Sequence, residues 1–243
     1  MFINLNMNDS FPDVVILAGG LGKRLHSVTG GAQKVLAKIG DQPFLEILID
    51  YIASQGGVRF ILCVGHGGDE VQAYFKNKYQ DREIIFSIEE SPLGTGGAIK
   101  QGSAQVKTDT FLAMNGDCFC VIDYKRLIVH HIKNKAKATL AVTLMPDARD
   151  YGTIEIASNG TIEAFKEKQP VIREAFINTG TYCFDRQVFS LVETPSKFSI
   201  ELDFFPKLTG QGFYAFEVES RFIDIGTPER YSWAQEHLKN LRE

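Results

Sequence analysis

The 243-residue chain carries 26 Lys and Arg against 30 Asp and Glu, a formal net charge of -4, with 44% hydrophobic and 23% charged residues. That is ordinary soluble composition, long enough for one large domain with a well-buried core. The acidic balance excludes broad binding to a nucleic-acid backbone, so any basic cluster is local and points to a small anionic ligand. The opening MFINLNMNDS lacks a charged leader and a long apolar stretch, and no later run approaches the roughly 20 apolar residues of a membrane span. A cytoplasmic protein without a membrane partner is expected. Cys63, Cys118, Cys120 and Cys183 form no C-x-x-C pair and are expected as buried, reduced thiols rather than a metal site.

The first predicted element is Val14–Ala18, a buried parallel strand, and it runs straight into VVILAGGLGKRL, where Gly19, Gly20 and Gly22 are followed by Lys23 and Arg24. Such glycines permit positive φ and close approach of backbone N–H groups to a ligand. An ordinary glycine-rich turn is the competing reading. Lys23, Arg24 and the later Lys34 tilt the balance toward phosphate, since a nest of N–H groups gains most from an anion when cations flank it. Beyond it, apolar runs at Phe60–Val64, Ile84–Ile88 and Phe111–Met114 alternate with amphipathic segments at Phe44–Ser54 and Glu70–Tyr79. This βαβ alternation predicts an α/β fold, a Rossmann-like doubly wound, mixed but mostly parallel sheet, with ligands beyond the carboxyl ends of the strands.

From about Ala138 the pattern changes. Thr139–Leu144, Thr153–Ile156 and Thr161–Phe165 read as short strands, the last two joined by the turn Asn159-Gly160. Phe176–Phe184 reads as another strand, Ser199–Leu208 as a helix, and Thr227-Pro228 as N-cap and first residue of a final helix to about Leu241. With no linker, repeat or low-complexity stretch, one domain over 1–243 is expected, in two lobes, one at about 12–137 and a second, smaller β lobe with the final helix at about 138–243.

Four further stretches carry chemistry at strand ends. In EESPLGTGGA, Gly94, Gly96 and Gly97 allow a flat base to lie against backbone, and Glu89 can accept from a ring N–H and an exocyclic amine, the edge that guanine offers; a plain helix start at Thr95 is the alternative. In MNGDCF, Asp117 follows a buried strand, where a carboxylate opposite a phosphate loop suits Mg²⁺ and equally suits a helix cap. In FIDIGTPERY, Asp224 ends another apolar segment. Two aspartates at strand ends without an obvious local basic partner fit a divalent ion better than two unrelated salt bridges. In FKEKQ and INTG, Glu167, Lys168, Asn178 and Gly180 suit hydroxyl and phosphate recognition, though exposed Glu and Lys are commonly just solvated surface.

Taken in order, Gly19–Leu25, Gln33-Lys34-Val35, Pro92–Gly97, Asn115–Asp117, Glu167-Lys168-Gln169, Asn178–Tyr182 and Asp224–Pro228 resemble the sugar-1-phosphate nucleotidyltransferase family pattern of G-G-x-G-T-R-L, P-K-P, P-L-G-T-G/A, N-G-D, E-K-P, N-x-G-x-Y and D-x-G-T-P. LAGGLG, PFLE, ESPLGTGGAI and INTGTY are most similar to the family's guanylyltransferases of D-glycero-α-D-manno-heptose 1-phosphate. Departures are Lys23 in place of Thr, and Gln33 and Val35 in place of the prolines beside Lys34, which bear on loop rigidity.

The resemblance implies a nucleotide-diphospho-sugar transferase fold and a Mg²⁺-dependent enzyme that joins an NTP to a sugar 1-phosphate and releases pyrophosphate, with GTP and the heptose 1-phosphate favoured. Arg24 is then expected on the departing pyrophosphate, Lys34 on the α-phosphate, and Asp117 and Asp224 on the metal. The nucleotide is expected along Leu17, Ala18, Gly19, Gly20, Gly22, Lys23, Glu89, Pro92, Leu93, Gly94, Thr95, Gly97, Asn115 and Gly116. The sugar phosphate is expected at Gly152, Glu167, Lys168, Asn178, Thr179 and Gly180. A homodimer is left open. The alternatives are a uridylyl- or cytidylyltransferase on another sugar phosphate, or a nucleotide-sugar-binding regulatory subunit without catalysis. A dinucleotide-binding oxidoreductase also begins strand–glycine–helix, but in this chain no acidic residue follows a second strand at the spacing that ribose binding needs, and Lys and Arg occupy the loop.

Overall fold

Apolar strands and amphipathic helices alternate as their periodicity demands, and the computed structural model describes them over residues 11–20, 25, 33–166, 173–219 and 222–238. Gly22, Lys23, Arg24, Glu167 and Lys168 lie outside the described residues. Strand β1 (Asp13–Leu17) is followed by a 3-10 turn at Lys34–Leu36, a short ladder of β2 (Lys38–Ile39) and β3 (Gln42–Pro43), and helix α1 (Phe44–Ser54). Then come β4 (Arg59–Val64), α2 (Gly68–Phe75), β5 (Glu83–Ile88), α3 (Gly94–Ser103) and β6 (Thr110–Asn115). The second half holds β7 (Cys118–Cys120), α4 (Tyr124–Lys133), β8 (Ala138–Met145), β9 (Thr153–Ile156), β10 (Ile162–Lys166) and β11 (Ala175–Asp185). A π-helical turn (Ile200–Phe204) runs into the short α5 (Phe205–Leu208), and β12 (Phe213–Glu217), β13 (Phe222–Asp224) and α6 (Pro228–His237) close the described chain.

Nine strands form one mixed sheet that runs through both halves. Strand β1 pairs in parallel with β4 on one side and β6 on the other, and β4 pairs in parallel with β5. The chain thus winds outward through β4 and β5 and returns to β6 across β1, which puts the topological switch point, and the crevice it creates, at the carboxyl ends of β1 and β6. Strand β11 turns the sheet antiparallel. One edge of β11 carries β8, whose outer side takes β12 in parallel, and the other carries β6 at Thr181–Asp185 and β9 at Phe176–Ile177. The ladder with β8 is broken between Asn178 and Tyr182. That break lies between β6 and β9, so the second half opens a notch beside the crevice.

Alternation along β1 sends Val14 and Ile16 into one apolar cluster with α1, α2 and α4, and Val15 into another with α3 and the aromatic run of Phe184, Phe198, Phe204, Phe205 and Phe213. Both faces are buried, as the continuous apolar runs require. Asn159 and Gly160 make the turn between β9 and β10, with Gly160 at φ +83° and Asn159 Oδ1 accepting from Thr161 N at 3.0 Å. Thr227 caps α6 by accepting from Arg230 N at 3.3 Å. Helix α4 and strand β12 escape the sequence pattern: α4 buries only Tyr124, Leu127 and His131 and is held by its cap Asp123, whose Oδ1 accepts from Arg126 N at 3.0 Å. No helix among the described residues is long and apolar enough to cross a membrane.

The buried His131 makes one stability prediction. Its ring contacts Thr139 Oγ1 at 2.9 Å, and burial, opposed in part by the Asp185 charge, pushes its pKa down to about 4. The folded value is below that of an unfolded histidine, so the neutral ring's contribution is complete above about pH 6.5 and is lost as pH falls toward 4. Urea unfolding is expected to show about 2 kcal/mol lost between pH 7 and 5 from this group, and His131→Gln is expected to flatten that part of the profile.

Candidate active site

The crevice is built from the ends of β1 and β6. Gly116 N donates to Leu17 O at 2.9 Å, and a Cβ on Gly116 would stand 2.5 Å from that same oxygen, so only glycine lets the two strand ends close here. Gly20 has φ +137° with open space around it. Leu17, Ala18, Gly19, Gly20, Lys34 and Thr95 line the cavity above this floor. Lys34 is presented by the 3-10 turn, whose buried Val35 anchors it. Gln33, standing where the family has proline, adopts φ -55° and ψ 133°, a proline-like geometry. Its Nε2 donates to His66 O at 3.2 Å and its N to Glu70 Oε2 at 3.4 Å. Hydrogen bonds therefore supply the rigidity that a pyrrolidine ring would give.

The glycines of EESPLGTGGA serve a different neighbour from the one expected. A Cβ on Gly94 would lie 2.6 Å from Phe198 O, one on Gly97 would lie 2.6 Å from Ser196 O, and one on Gly96 would strike the Phe198 ring. Phe198 N donates to Leu93 O at 2.9 Å, and Phe198 O accepts from Gly96 N at 3.0 Å. Their bare faces thus hold the 196–200 segment against the loop, so a base at this stretch would meet its backbone edges and Glu89 rather than those faces. Glu89, half-buried, accepts from Leu93 N through Oε2 at 2.9 Å and so fixes the loop's entry. Of this stretch Thr95 lines the cavity, whereas Glu89, Pro92, Leu93, Gly94 and Gly97 do not.

Asp117 and Asp224 come together across paired strands. Asp224 stands opposite Cys118 in the β7–β13 ladder, and Ile225 N donates to Asp117 O at 3.0 Å. The expectation that neither has a basic partner is corrected. Lys34 Nζ is ion-paired with Asp117 Oδ2. Arg230, from the first turn of α6, places Nη1 3.1 and 2.9 Å from the two oxygens of Asp224 and Nη2 3.0 Å from Asp150 Oδ2. The Tyr151 hydroxyl donates to Asp224 Oδ2 at 2.9 Å, and the Arg230 guanidinium lies 4.7 Å from the Tyr151 ring centre. Burial and then the Asp224 charge raise the Tyr151 phenol above its usual range, so it remains a donor. A Cβ on Gly226 would be 2.7 Å from Asp224 Oδ1 and 3.7 Å from Lys34 Nζ, which shows how closely the two ion pairs approach. Their carboxylates are hard oxygen donors on adjoining strand ends. They fit a divalent cation that takes its remaining ligands from phosphate oxygens and water, and no cluster of three His, Cys, Asp or Glu suited to a metal exists among the described residues.

A second cavity opens over the broken β11 ladder and shares Lys34, Asn115, Asp117 and Gly226 with the first. Gly152, Asn178 and Gly180 line it as expected. Gly180 has φ +73°, and a Cβ there would meet Asn115 Nδ2 at 2.6 Å. Thr179 does not reach it: 1% exposed, it donates to Ala141 O at 2.8 Å inside the fold. Tyr151, Glu201 and Arg230 also line this cavity and were not singled out from the sequence. Their signals were thin, being an aromatic before Gly152, an acid two residues after the capping Ser199, and a base in the first turn of α6. The cysteines are free thiols. Burial pushes Cys63 and Cys120 up to about 12, and desolvation followed by the Asp117 and Asp224 charges raises Cys118.

The nucleotidyl transferase family matches residues 13–240. D-glycero-α-D-manno-heptose 1-phosphate guanylyltransferase of Aneurinibacillus thermoaerophilus is 38% identical over 229 residues, covering 94% of this chain and 99% of the relative. The enzyme of the same description from Campylobacter jejuni is 36% identical, covering 89% and 96%. The crystal structure of HddC from Yersinia pseudotuberculosis complexed with GMP-PN superposes with a TM-score of 0.83 at 37% identity, covering 94% of this chain and 100% of that one.

Proposed function

The chain belongs to the nucleotidyl transferase family, and from that premise we propose that it joins GTP to D-glycero-α-D-manno-heptose 1-phosphate, releasing pyrophosphate and forming GDP-heptose. The observation that carries this reading is the pair of cavities that meet at Lys34, Asn115, Asp117 and Gly226. Two phosphorylated substrates must bring a nucleophilic phosphate oxygen and an α-phosphorus to one point, and a shared polar wall is what such a meeting needs. The guanylyltransferase relatives, covered almost end to end, support the base and the sugar. We place the reaction in the cytoplasm, with the first half of the chain as the nucleotide lobe and the second as the sugar lobe.

In this reading a sugar-phosphate oxygen attacks the α-phosphorus in line, the bond from the α-phosphorus to the bridging oxygen breaks, and pyrophosphate departs with that electron pair. No general base is required, because the sugar phosphate is already ionised at neutral pH. The ends of β1 and β6 orient the nucleotide, and Lys34, held beside Asp117, turns its ammonium toward the α-phosphate. Arg24 and Lys168 take the pyrophosphate and the sugar phosphate. Asp117 and Asp224 would hold Mg²⁺, whose charge lowers the repulsion between the two phosphates. Arg230 and Tyr151 keep the Asp224 carboxylate oriented, and Gly226 leaves the junction open.

Purified protein incubated with the heptose 1-phosphate and each of the four NTPs in turn is expected to release pyrophosphate and form the nucleotide sugar with GTP. Absence of pyrophosphate with every NTP would favour the non-catalytic alternative. Lys34 gives a sharper expectation: if its charge serves the transition state, Lys34→Ala lowers kcat more than it raises KM for GTP. A raised KM with unchanged kcat would reduce Lys34 to an attractor of nucleotide.

A further inference from the structure

Arg230 stands where a helix does not favour it. It lies in the first turn of α6, its N donating to Thr227 Oγ1 at 3.3 Å, and a cation there is opposed by the helix dipole. Its place is set instead by the acids and the ring around it. Nη1 donates to both oxygens of Asp224, at 3.1 and 2.9 Å, Nη2 donates to Asp150 Oδ2 at 3.0 Å, and the guanidinium lies 4.7 Å from the Tyr151 ring centre.

These contacts fill the Asp224 carboxylate. Oδ1 accepts from Gly226 N at 2.9 Å and from Arg230, and Oδ2 accepts from the Tyr151 hydroxyl at 2.9 Å and from Arg230. A carboxylate has about four lone-pair sites, so a divalent cation that takes Asp224 as a ligand must displace a donor. Gly226 N is fixed by the chain turn it shares with Asp224, and the Tyr151 hydroxyl is neutral. Arg230 is the donor that carries positive charge, so it is the one that an arriving cation repels. Its other anchors need not move: Asp150 and Tyr151 line the second cavity together with Arg230, Asp224 and Lys34. The Asp150 side chain is 77% exposed, so that ion pair tethers the guanidinium without locking it. Parted from Asp224 and kept in the cavity, Nη1 is returned to a planar fork of donors that suits a phosphate.

We propose that Arg230 is an exchangeable cation: it neutralises Asp224 until that carboxylate takes a divalent ion, and then passes to the phosphate of the sugar 1-phosphate in the second cavity. The proposal rests on reading Asp224 as a metal ligand and this cavity as the sugar-phosphate site. Each ligand then eases the binding of the other, by the reciprocity of linkage. Mn²⁺ binding to the full chain, followed by electron paramagnetic resonance without GTP, tests it on folded wild type, Arg230→Gln, Arg230→Lys and Asp224→Asn, each with and without the heptose 1-phosphate. Arg230→Gln is expected to bind Mn²⁺ on the order of tenfold more tightly than wild type, because the competing charge is gone. Arg230→Lys, which keeps that charge, is expected to stay near wild type. The sugar 1-phosphate is expected to tighten Mn²⁺ binding about fivefold or more in wild type and clearly less in Arg230→Gln.

Unchanged or weaker Mn²⁺ binding in Arg230→Gln would make Arg230 a support of the carboxylate, and equal tightening by the sugar 1-phosphate in both proteins would mean that the phosphate acts on the metal without Arg230. Either result overturns the proposal, as does a gain in Arg230→Lys as large as in Arg230→Gln. If Arg230→Gln does not fold, the Arg230 Nε–H resonance of wild type, identified by its loss in Arg230→Lys, decides: it is expected to shift on adding Mg²⁺ alone, and no shift overturns the exchange. Asp224→Asn separates the proposal from its premise. Mn²⁺ affinity unaltered there would remove Asp224 as a metal ligand, whereas weakened binding in Asp224→Asn with no gain in Arg230→Gln would sink the exchange alone.

Discussion

Asp117→Asn is expected to lower kcat about a hundredfold or more, roughly 2.7 kcal/mol of transition-state stabilisation, and Asp224→Asn to do the same. Asp117 stands in the wall that the two cavities share, and Asp224, on β13 opposite Cys118, lines the second cavity beside it; each carries a cation, Lys34 on Asp117 and Arg230 on Asp224. In the proposed reaction two anionic phosphates must approach each other, and the two aspartates collect positive charge at that point. An asparagine keeps the shape and a hydrogen-bonding oxygen but loses the charge that draws a divalent ion or holds a lysine in place.

The two variants differ in stability. The Lys34–Asp117 pair has side chains 19% and 32% exposed, so its loss should cost the fold about 1 kcal/mol or less. The Asp224 side chain is 11% exposed and gathers Arg230, Tyr151 and Gly226 N, so thermal unfolding must be followed beside its kinetics. Near-normal kcat for both folded variants in saturating Mg²⁺ would remove the metal role from this pair. Unchanged Mn²⁺ affinity in both, measured by electron paramagnetic resonance without substrates, would remove it independently of activity.

Strand-end chemistry was legible in the sequence because burial writes it there. Continuous apolar runs such as Val14–Ala18 and Phe111–Met114 declare strands covered on both faces, and the residues just past each run must then stand at the crevice, which located Gly19, Gly20, Asn115 and Asp117. Long-range pairing left no such trace. Nothing local to Asp224 indicates that Arg230 folds back onto it, since the contact depends on how α6 leaves β13. Glycine is ambiguous in the same way. Gly94, Gly96 and Gly97 announce a close approach but not what approaches, and the visitor is Phe198 with its neighbours, about a hundred residues onward in the chain. Thr179 departs from its expected place for a period-2 reason: with Asn178 and Gly180 directed to the notch, the residue between them points into the core.

A preference for guanine is the second large effect expected, GTP over ATP on the order of a hundredfold or more, as when the wrong substrate leaves a polar group unpaired. Guanine presents N1–H and the 2-amino group as adjacent donors to one carboxylate, whereas adenine presents a bare N1 acceptor that a carboxylate repels. Uracil keeps one ring N–H between two carbonyls, an intermediate penalty, which makes UTP the closer rival. The structure sharpens the choice of variant. Glu89 Oε2 already accepts from Leu93 N at 2.9 Å, so Glu89→Ala would loosen the loop and confuse two roles. Glu89→Gln does not. Its amide oxygen can take over the Leu93 N–H bond, which leaves the loop in place and turns an NH₂ donor outward where an acceptor stood. A carbonyl of uracil would then be welcomed and guanine N1–H opposed, so the GTP-to-UTP ratio of kcat/KM should narrow in Glu89→Gln while thermal stability holds. If the ratio stays where it is in wild type, Glu89 is a clamp on the 89–97 loop and the base edge is read elsewhere. If wild type itself turns over UTP as well as GTP, the guanine preference falls and the nucleotidyl transfer proposed for Lys34, Asp117 and Asp224 is untouched.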